Sequence, residues 1–311
     1  MNPPFKNYPL VLRILLMFSM FVFNVSVLAM IGTYLSSFLF GMQDIQTIVN
    51  GRFTTPEAQN AVLFIQGFTS LGGFALTAIM FAVLESGEFK KHLRINNYPD
   101  AKMVLLAIAS VLVAQFFVEF LVTINKLVVL PAKFQFLYDA HKRNEELAGA
   151  LMNFTDVAHF IVATLVVAVV PAIGEEFFFR GLLLGDLLKG KVPMVAALLF
   201  SGFVFAVFHF EVDNVLAIWV MGIFLGYLYY ISGSLWLPIA AHFTNNFLAV
   251  LFKYLYNTGA VGKDFAEAET PLYASLISIA VFIGFVFIFN KWKKPATFVE
   301  PVQPIETNNT Y

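Results

Sequence analysis

The chain has 311 residues, 59% hydrophobic and 13% charged, and its mean hydropathy of +0.78 excludes a soluble domain of this length. A formal net charge of -1 gives no electrostatic basis for nucleic-acid binding, and the absence of cysteine excludes disulfides, thiolate metal ligands and a cysteine nucleophile. What remains is an all-α, multi-pass transmembrane helical bundle embedded in a lipid bilayer.

Intervals free of Asp, Glu, Lys and Arg predict about eight transmembrane helices, because roughly 20 apolar residues cross the hydrocarbon core. The first lies within Ile14 to Gln43. It lacks a small-residue cleavage pattern and exceeds a signal-peptide core, so it reads as a retained span. The second lies within Ala58 to Leu84, and the third runs from Met103 towards Asn125, with Glu119 near its far end as an interfacial carboxylate. Between Lys133 and Met152, Phe134, Leu137, Leu147 and Leu151 stand among charges, which fits a helix lying in the interface or an ordinary polar loop helix. The fourth span covers Val157 to Gly174 and continues helically beyond it, and the fifth occupies Val192 to Phe210. The interval Asn214 to Phe252 would make a helix of about 58 Å, twice the core thickness, so it must fold back. Ile231-Ser232-Gly233-Ser234, followed by Pro238, is the natural turn between a sixth and a seventh span. The eighth lies within Thr270 to Asn290, and the polar, proline-containing tail Pro295 to Tyr311 is expected to be disordered. This divides the chain into N-terminal helices (1–150), a core of helices four to eight (151–294) and the tail (295–311).

Lys and Arg in the loops set the orientation. With the N-terminus inside, eleven fall on the cytosolic side (Lys6, Arg13, Lys90, Lys91, Arg94, Lys102, Lys189, Lys191, Lys291, Lys293 and Lys294). Seven fall opposite: Arg52, Lys126, Lys133, Lys142, Arg143, Lys253 and Lys263. Both termini are therefore expected in the cytosol, with the chain in the cell (inner) membrane, although the basic segment near Lys142 argues the other way.

Three stretches carry chemistry. Gly174-Glu175-Glu176-Phe177-Phe178-Phe179-Arg180-Gly181 sets two adjacent carboxylates and an arginine at the end of an apolar run. Ionisable groups in a span are normally retained where they pair or line a functional cavity, although the same residues could also mark the border of a helix. Glu176 and Arg180, at i and i+4, share a face within ion-pair reach, and Glu175 projects about 100° away. Phe205-Ala206-Val207-Phe208-His209 places a histidine near the end of the next run. His242-Phe243-Thr244-Asn245-Asn246 places a histidine and an amide one turn apart in another. Of the remaining histidines, His92 and His141 are expected in charged loops and His159 at the start of a span. Across a hairpin at Gly190, the depths of Glu175 and His209 differ by about 6 Å, so the two can face each other. Asn246 shares the face of His242, whereas Asn245 is rotated by about 100°.

With Glu-Glu-x-x-x-Arg at Glu175, Glu176 and Arg180, Phe-x-x-x-His at Phe205 and His209, and His-x-x-x-Asn at His242 and Asn246, the sequence resembles the CAAX-processing and bacteriocin-processing (CPBP or Abi) family of intramembrane proteases. The resemblance runs from about Val157 to Tyr256. It implies that Glu175 and His209 activate a water, that His242 and Asn246 bind the oxyanion, and that Glu176 and Arg180 support them. It also implies a membrane-associated peptide or protein substrate, in CAAX-type or bacteriocin-type processing, cleaved near the cytosolic face. A carboxylate held in a low-dielectric site is expected to have its pKa raised towards neutrality, which suits a general base. Glu175, His209 and His242 could alternatively hold zinc, and the family is often labelled metalloprotease. The metal-free version is preferred, with no cofactor, because a histidine one turn from an asparagine fits paired hydrogen-bond donors. A proton-coupled transporter using Glu175 and Glu176 as relays would usually show duplicated halves, which are absent. A non-catalytic immunity or scaffold protein would not need the full motif set.

Overall fold

The computed structural model describes residues 3–41, 56–128, 130–263 and 270–292. The tail Pro295 to Tyr311 lies outside them. The described residues form helices and contain no strand, as backbone groups in hydrocarbon require unless they close into a barrel.

The helices stop where the sequence supplies stops. Helix α1 (Leu10–Phe40) ends at Gly41, which takes φ of 63°, the left-handed conformation glycine adopts without steric cost. Helix α2 (Glu57–Ser86) ends in the same way at Gly87, and the single turn α3 (Phe89–His92) follows. Helix α4 (Ala101–Asn125) begins at Asp100, whose side chain accepts from the Lys102 N–H, a cap that satisfies one of the orphan donors of the first turn. Helix α5 (Gln135–Leu151) corresponds to the amphipathic stretch. Helix α6 (Val157–Lys189) is capped by Asp156 and carries the Glu-Glu-x-x-x-Arg motif inside it. It contains Pro171 and two π-helical segments, Thr164–Val169 and Phe177–Leu184, local rewindings that re-satisfy backbone groups near a proline and are frequent at functional sites. Helices α7 (Met194–Val207), α8 (Val215–Ser232), α9 (Trp236–Asn257) and α10 (Leu272–Trp292) complete the order. The fold-back between α8 and α9 falls at Gly233, with φ of 60°.

Each of the eight predicted intervals corresponds to a helix, but six helices are long and apolar enough to cross a membrane. The other two are α7, whose 14 residues rise only about 21 Å, and α9, which carries His242, Asn245 and Asn246. The chain is an integral membrane protein with six such candidate spans among the described residues, and α7 and α9 carry Phe205 and His242 of the site.

Hydrogen bonds at the helix ends sort the bundle into two ends. At the N-terminal end, Phe5 N–H donates to Leu84 O, Asn97 Nδ2 to Gly233 O and Trp236 Nε1 to Ile95 O. At the opposite end, Asn125 Nδ2 donates to Val212 O (2.7 Å), Asn144 Nδ2 to His209 O (3.2 Å) and Asn257 Nδ2 to Met152 O (2.7 Å). His209 therefore belongs to the end opposite the N-terminus.

A core of Phe81, Leu93, Phe178, Phe179, Leu182, Phe205, Tyr229 and Leu235 joins α2, α6, α7, α8 and the turn before α9. Helices α7 and α8 cross at Gly202 and Gly222, where a Cβ on either would fall 2.9 Å from the partner backbone. Only glycine permits that approach, and small residues are how helices without a hydrophobic driving force between them pack closely.

Candidate active site

The same crossing brings a backbone carbonyl to the motif arginine. Arg180 Nη2 donates to Gly222 O (3.0 Å), Nη1 donates to Glu176 Oε1 (2.6 Å), and the guanidinium lies 4.4 Å from the centroid of the Phe205 ring. Arg180 and Glu176 are both 0% exposed. The i, i+4 pairing read from the sequence is thus a fully buried ion pair, a geometry that survives desolvation only when further hydrogen bonds hold it.

Glu176 Oε1 also accepts from His242 Nδ1 (2.8 Å), so a proton sits on Nδ1 and the other ring nitrogen points away from Glu176. His209 is oriented by the same device, its Nδ1–H donating to Phe205 O (2.8 Å); a carbonyl can only accept, so the tautomer follows. Both imidazoles turn Nε2 towards Glu175, whose Oε2 stands 3.9 Å from each. That oxygen is buried and has no hydrogen-bond partner in the protein. Phe205, the first residue of the second motif, is packed against both rings, 4.5 Å from His209 and 5.7 Å from His242 between centroids.

A cavity of about 600 Å³ opens beside this cluster, between α4, α8 and α9. Its polar lining is Gln115, His209, Asn214, His242, Asn245 and Asn246, and the rest is apolar, including Val118, Met221 and Phe252. Such a mixture suits a peptide with an apolar segment. The structure thus brings Glu175, Glu176, Arg180, His209 and His242 into one cluster and sets Asn246 on the wall of its cavity. Asn246 Nδ2 donates to Val167 O (3.4 Å).

Several residues escaped the sequence reading. Asn125 is buried and clamps the turn that carries His209, donating to Val212 O and accepting from Leu216 N–H (2.8 Å). Asn144 holds the His209 carbonyl, across a turn in which Phe210 takes φ of 52°, a conformation that costs energy for a side chain of that size. Asn245, set aside as rotated, lines the cavity with its neighbour. The available signal was a polar amide inside or at the end of a charge-free span. His92 and His141, expected in charged loops, stand on helices instead. His92 is buried in α3, and His141 is buried in α5 with Nδ1 3.0 Å from Glu211. Glu119 is exposed on α4 and takes no part.

Two sets of residues have metal-ligand chemistry. Glu175, His209 and His242 have the right types, but among the described residues the trio whose ligand atoms lie within 4.8 Å of one another is Glu85, His92 and Asp186. Ligands of a tetrahedral zinc stand about 3.3 Å apart, so the motif trio does not fit a zinc ion in this arrangement. The second trio already surrounds a cation of the chain, since Lys189 Nζ lies 3.1 Å from His92 Nε2, 3.4 Å from Asp186 and 3.5 Å from Glu85.

Residues 157–248, from the start of α6 to the cavity-lining turns of α9, match the family model described as type II CAAX prenyl endopeptidase Rce1-like. No curated protein and no solved structure matches the chain. The matched segment contains every motif residue of the cluster, and over it the chain is similar to the CAAX-processing family of intramembrane proteases.

Proposed function

We propose that the protein is a metal-free intramembrane endopeptidase, hydrolysing a peptide bond of a membrane-associated CAAX-type or bacteriocin-type substrate with water activated by Glu175 and His209. The observation that carries this reading is the unpaired Glu175 Oε2, buried and facing two imidazole Nε2 atoms beside a cavity. A water bound to Glu175 Oε2 and His209 Nε2 gives its proton to the carboxylate as its oxygen attacks the substrate carbonyl. The new oxyanion accepts from Asn246 Nδ2–H and His242 Nε2–H, and Glu175 then delivers the proton to the leaving amine. In this reading His242 acts as an imidazolium, with protons on both nitrogens. The buried charges then balance: two carboxylates face Arg180 and His242, as low-dielectric surroundings demand. Glu176 and Arg180 fix the His242 ring so that its Nε2 stays aimed at the oxyanion position, and preorganised donors of this kind are worth several kcal/mol.

The test is cleavage of a reporter peptide by purified protein and by Glu175→Gln, which keeps the size and hydrogen bonding of the side chain but removes the base. Turnover should fall by about 10² to 10⁴ with folding unchanged. Wild-type protein that cleaves no peptide, or a variant retaining most of the rate, would refute the reading.

Both termini are assigned to the cytosol on the loop charges, which turns the His209 end of the cavity to the other face. Because the chain has no cysteine, single replacements report the topology cleanly. Lys90→Cys and Lys142→Cys should react with a membrane-impermeant thiol reagent from opposite sides, Lys90→Cys from the cytosolic one.

A further inference from the structure

The cavity wall contains a chain of side-chain amides with a defined direction. Gln115 of α4 donates from Nε2 to Val111 O (3.0 Å) and to Asn245 Oδ1 (3.4 Å). Asn245 Nδ2 donates to Asn246 Oδ1 (3.3 Å), and Asn246 Nδ2 donates to Val167 O (3.4 Å). Both ends are pinned by backbone carbonyls, which only accept. Gln115 must therefore turn its NH₂ to Val111, and Asn246 must turn its NH₂ to Val167. Asn245, between a donor on one side and an acceptor on the other, has one orientation that satisfies both.

We infer that Gln115 and Asn245 are positioning residues that hold the Asn246 amide with its nitrogen, not its oxygen, towards the reacting carbonyl. The inference rests on the reading of Asn246 as an oxyanion donor. With Oδ1 occupied by Asn245 and one N–H on Val167, Asn246 keeps a single free N–H. Without the chain, the amide could rotate by 180° and present Oδ1, an acceptor that repels an oxyanion. Apart from the Gln115 to Val111 bond, the contacts are long, so the chain contributes direction more than strength. Gln115 lies outside the segment 157–248 that carries the family match, so the N-terminal helices complete the site rather than merely anchor it.

The experiment is a kinetic cycle on a reporter peptide. Gln115→Met, close in shape but without the amide, should lower kcat on the order of tenfold with KM within about twofold, because misdirection of a donor acts on the transition state. In an Asn246→Ala background the same substitution should change kcat by less than about twofold, since nothing is left to position. Asn245→Ala serves as the second variant and should show the same pattern. An unchanged kcat, or an equal loss in both backgrounds, would overturn the inference. A readout independent of cleavage uses protein labelled with ¹⁵N-asparagine: the side-chain amide signal of Asn246, identified by its loss in Asn246→Ala, should shift in Gln115→Met. If wild-type protein cleaves no peptide, the endopeptidase reading fails, and this shift still decides whether the amide chain exists; an unmoved signal would refute it.

Discussion

Helix α6 carries two ionic clusters, separated by about two turns, and each combines carboxylates, histidine and a cationic side chain. One joins Glu175, Glu176, Arg180, His209 and His242. The other joins Asp186 and Lys189 to Arg13 of α1, Glu85 of α2 and His92 of α3. In the second, Arg13 Nη1 reaches Glu85 Oε1 at 2.6 Å and Lys189 bridges both carboxylates and the histidine. Cations of the chain fill the centre. In the first, the arginine and one histidine are consumed by Glu176, and Glu175 keeps an oxygen turned to the Nε2 atoms of His209 and His242, which line the adjoining cavity. A buried charge is therefore not by itself a site. Glu85 Oε2 of the second cluster is unpartnered too; what distinguishes the first cluster is that the two histidines facing its open carboxylate line a cavity.

That contrast has measurable consequences, the largest in rate. Glu85→Gln should leave turnover per folded molecule within about threefold while lowering thermal stability, the reverse of Glu175→Gln, because it breaks pairs and removes no base. Comparable rate losses in both variants would erase the distinction. The next effect separates the first cluster from a metal centre. Asn246→Ala should cost on the order of 10² to 10³ in rate, the usual value of one oxyanion donor, while a strong chelator should leave the wild-type rate unchanged. About one zinc per chain, lost together with activity in His209→Ala, would overturn the metal-free reading. Arg180→Ala should strand Glu176 at 0% exposure and lower stability by about 3 to 5 kcal/mol, read as a large drop in melting temperature; a fully active, equally stable variant would refute the pairing.

The smallest effect concerns His92. Burial, and then Lys189, Arg13 and Arg94, push its pKa far below the usual imidazole value of 6.5. The folded protein therefore holds His92 neutral while the unfolded chain takes up a proton below about pH 6.5. The stability contributed by this group is complete above that pH and is lost as pH falls. His92→Asn should flatten the acid side of the stability profile between about pH 6.5 and 4, and an unchanged slope would show that other groups set it.

Spans, turns and the main acidic motif were legible because they rest on local physics. Charge-free runs find hydrocarbon, Gly233 ends α8 at a left-handed residue, and Glu176 and Arg180 meet because i and i+4 share a helix face. The count of spans was less legible, since α7 has the composition of a span without its length. The partners of the site were hidden for a different reason. Gln115 meets Asn245 across 130 residues, Asn125 meets Val212 across 87, and Asn144 meets His209 across 65.

By itself the sequence determined that this chain lies in a membrane as a helical bundle, which residues it commits to buried charge, and which intramembrane protease family it resembles. Hydropathy and short spacings suffice for that, because each is a property of one segment. Only the tertiary structure decided which acid is paired and which is left open, since that depends on which helix brings a cation. The Gly202–Gly222 crossing delivers a carbonyl to Arg180, Phe205 and Glu176 turn two imidazoles by their Nδ1 atoms, and Lys189 closes the second cluster. These are contacts between helices far apart in the chain, and no local pattern encodes the geometry in which they meet.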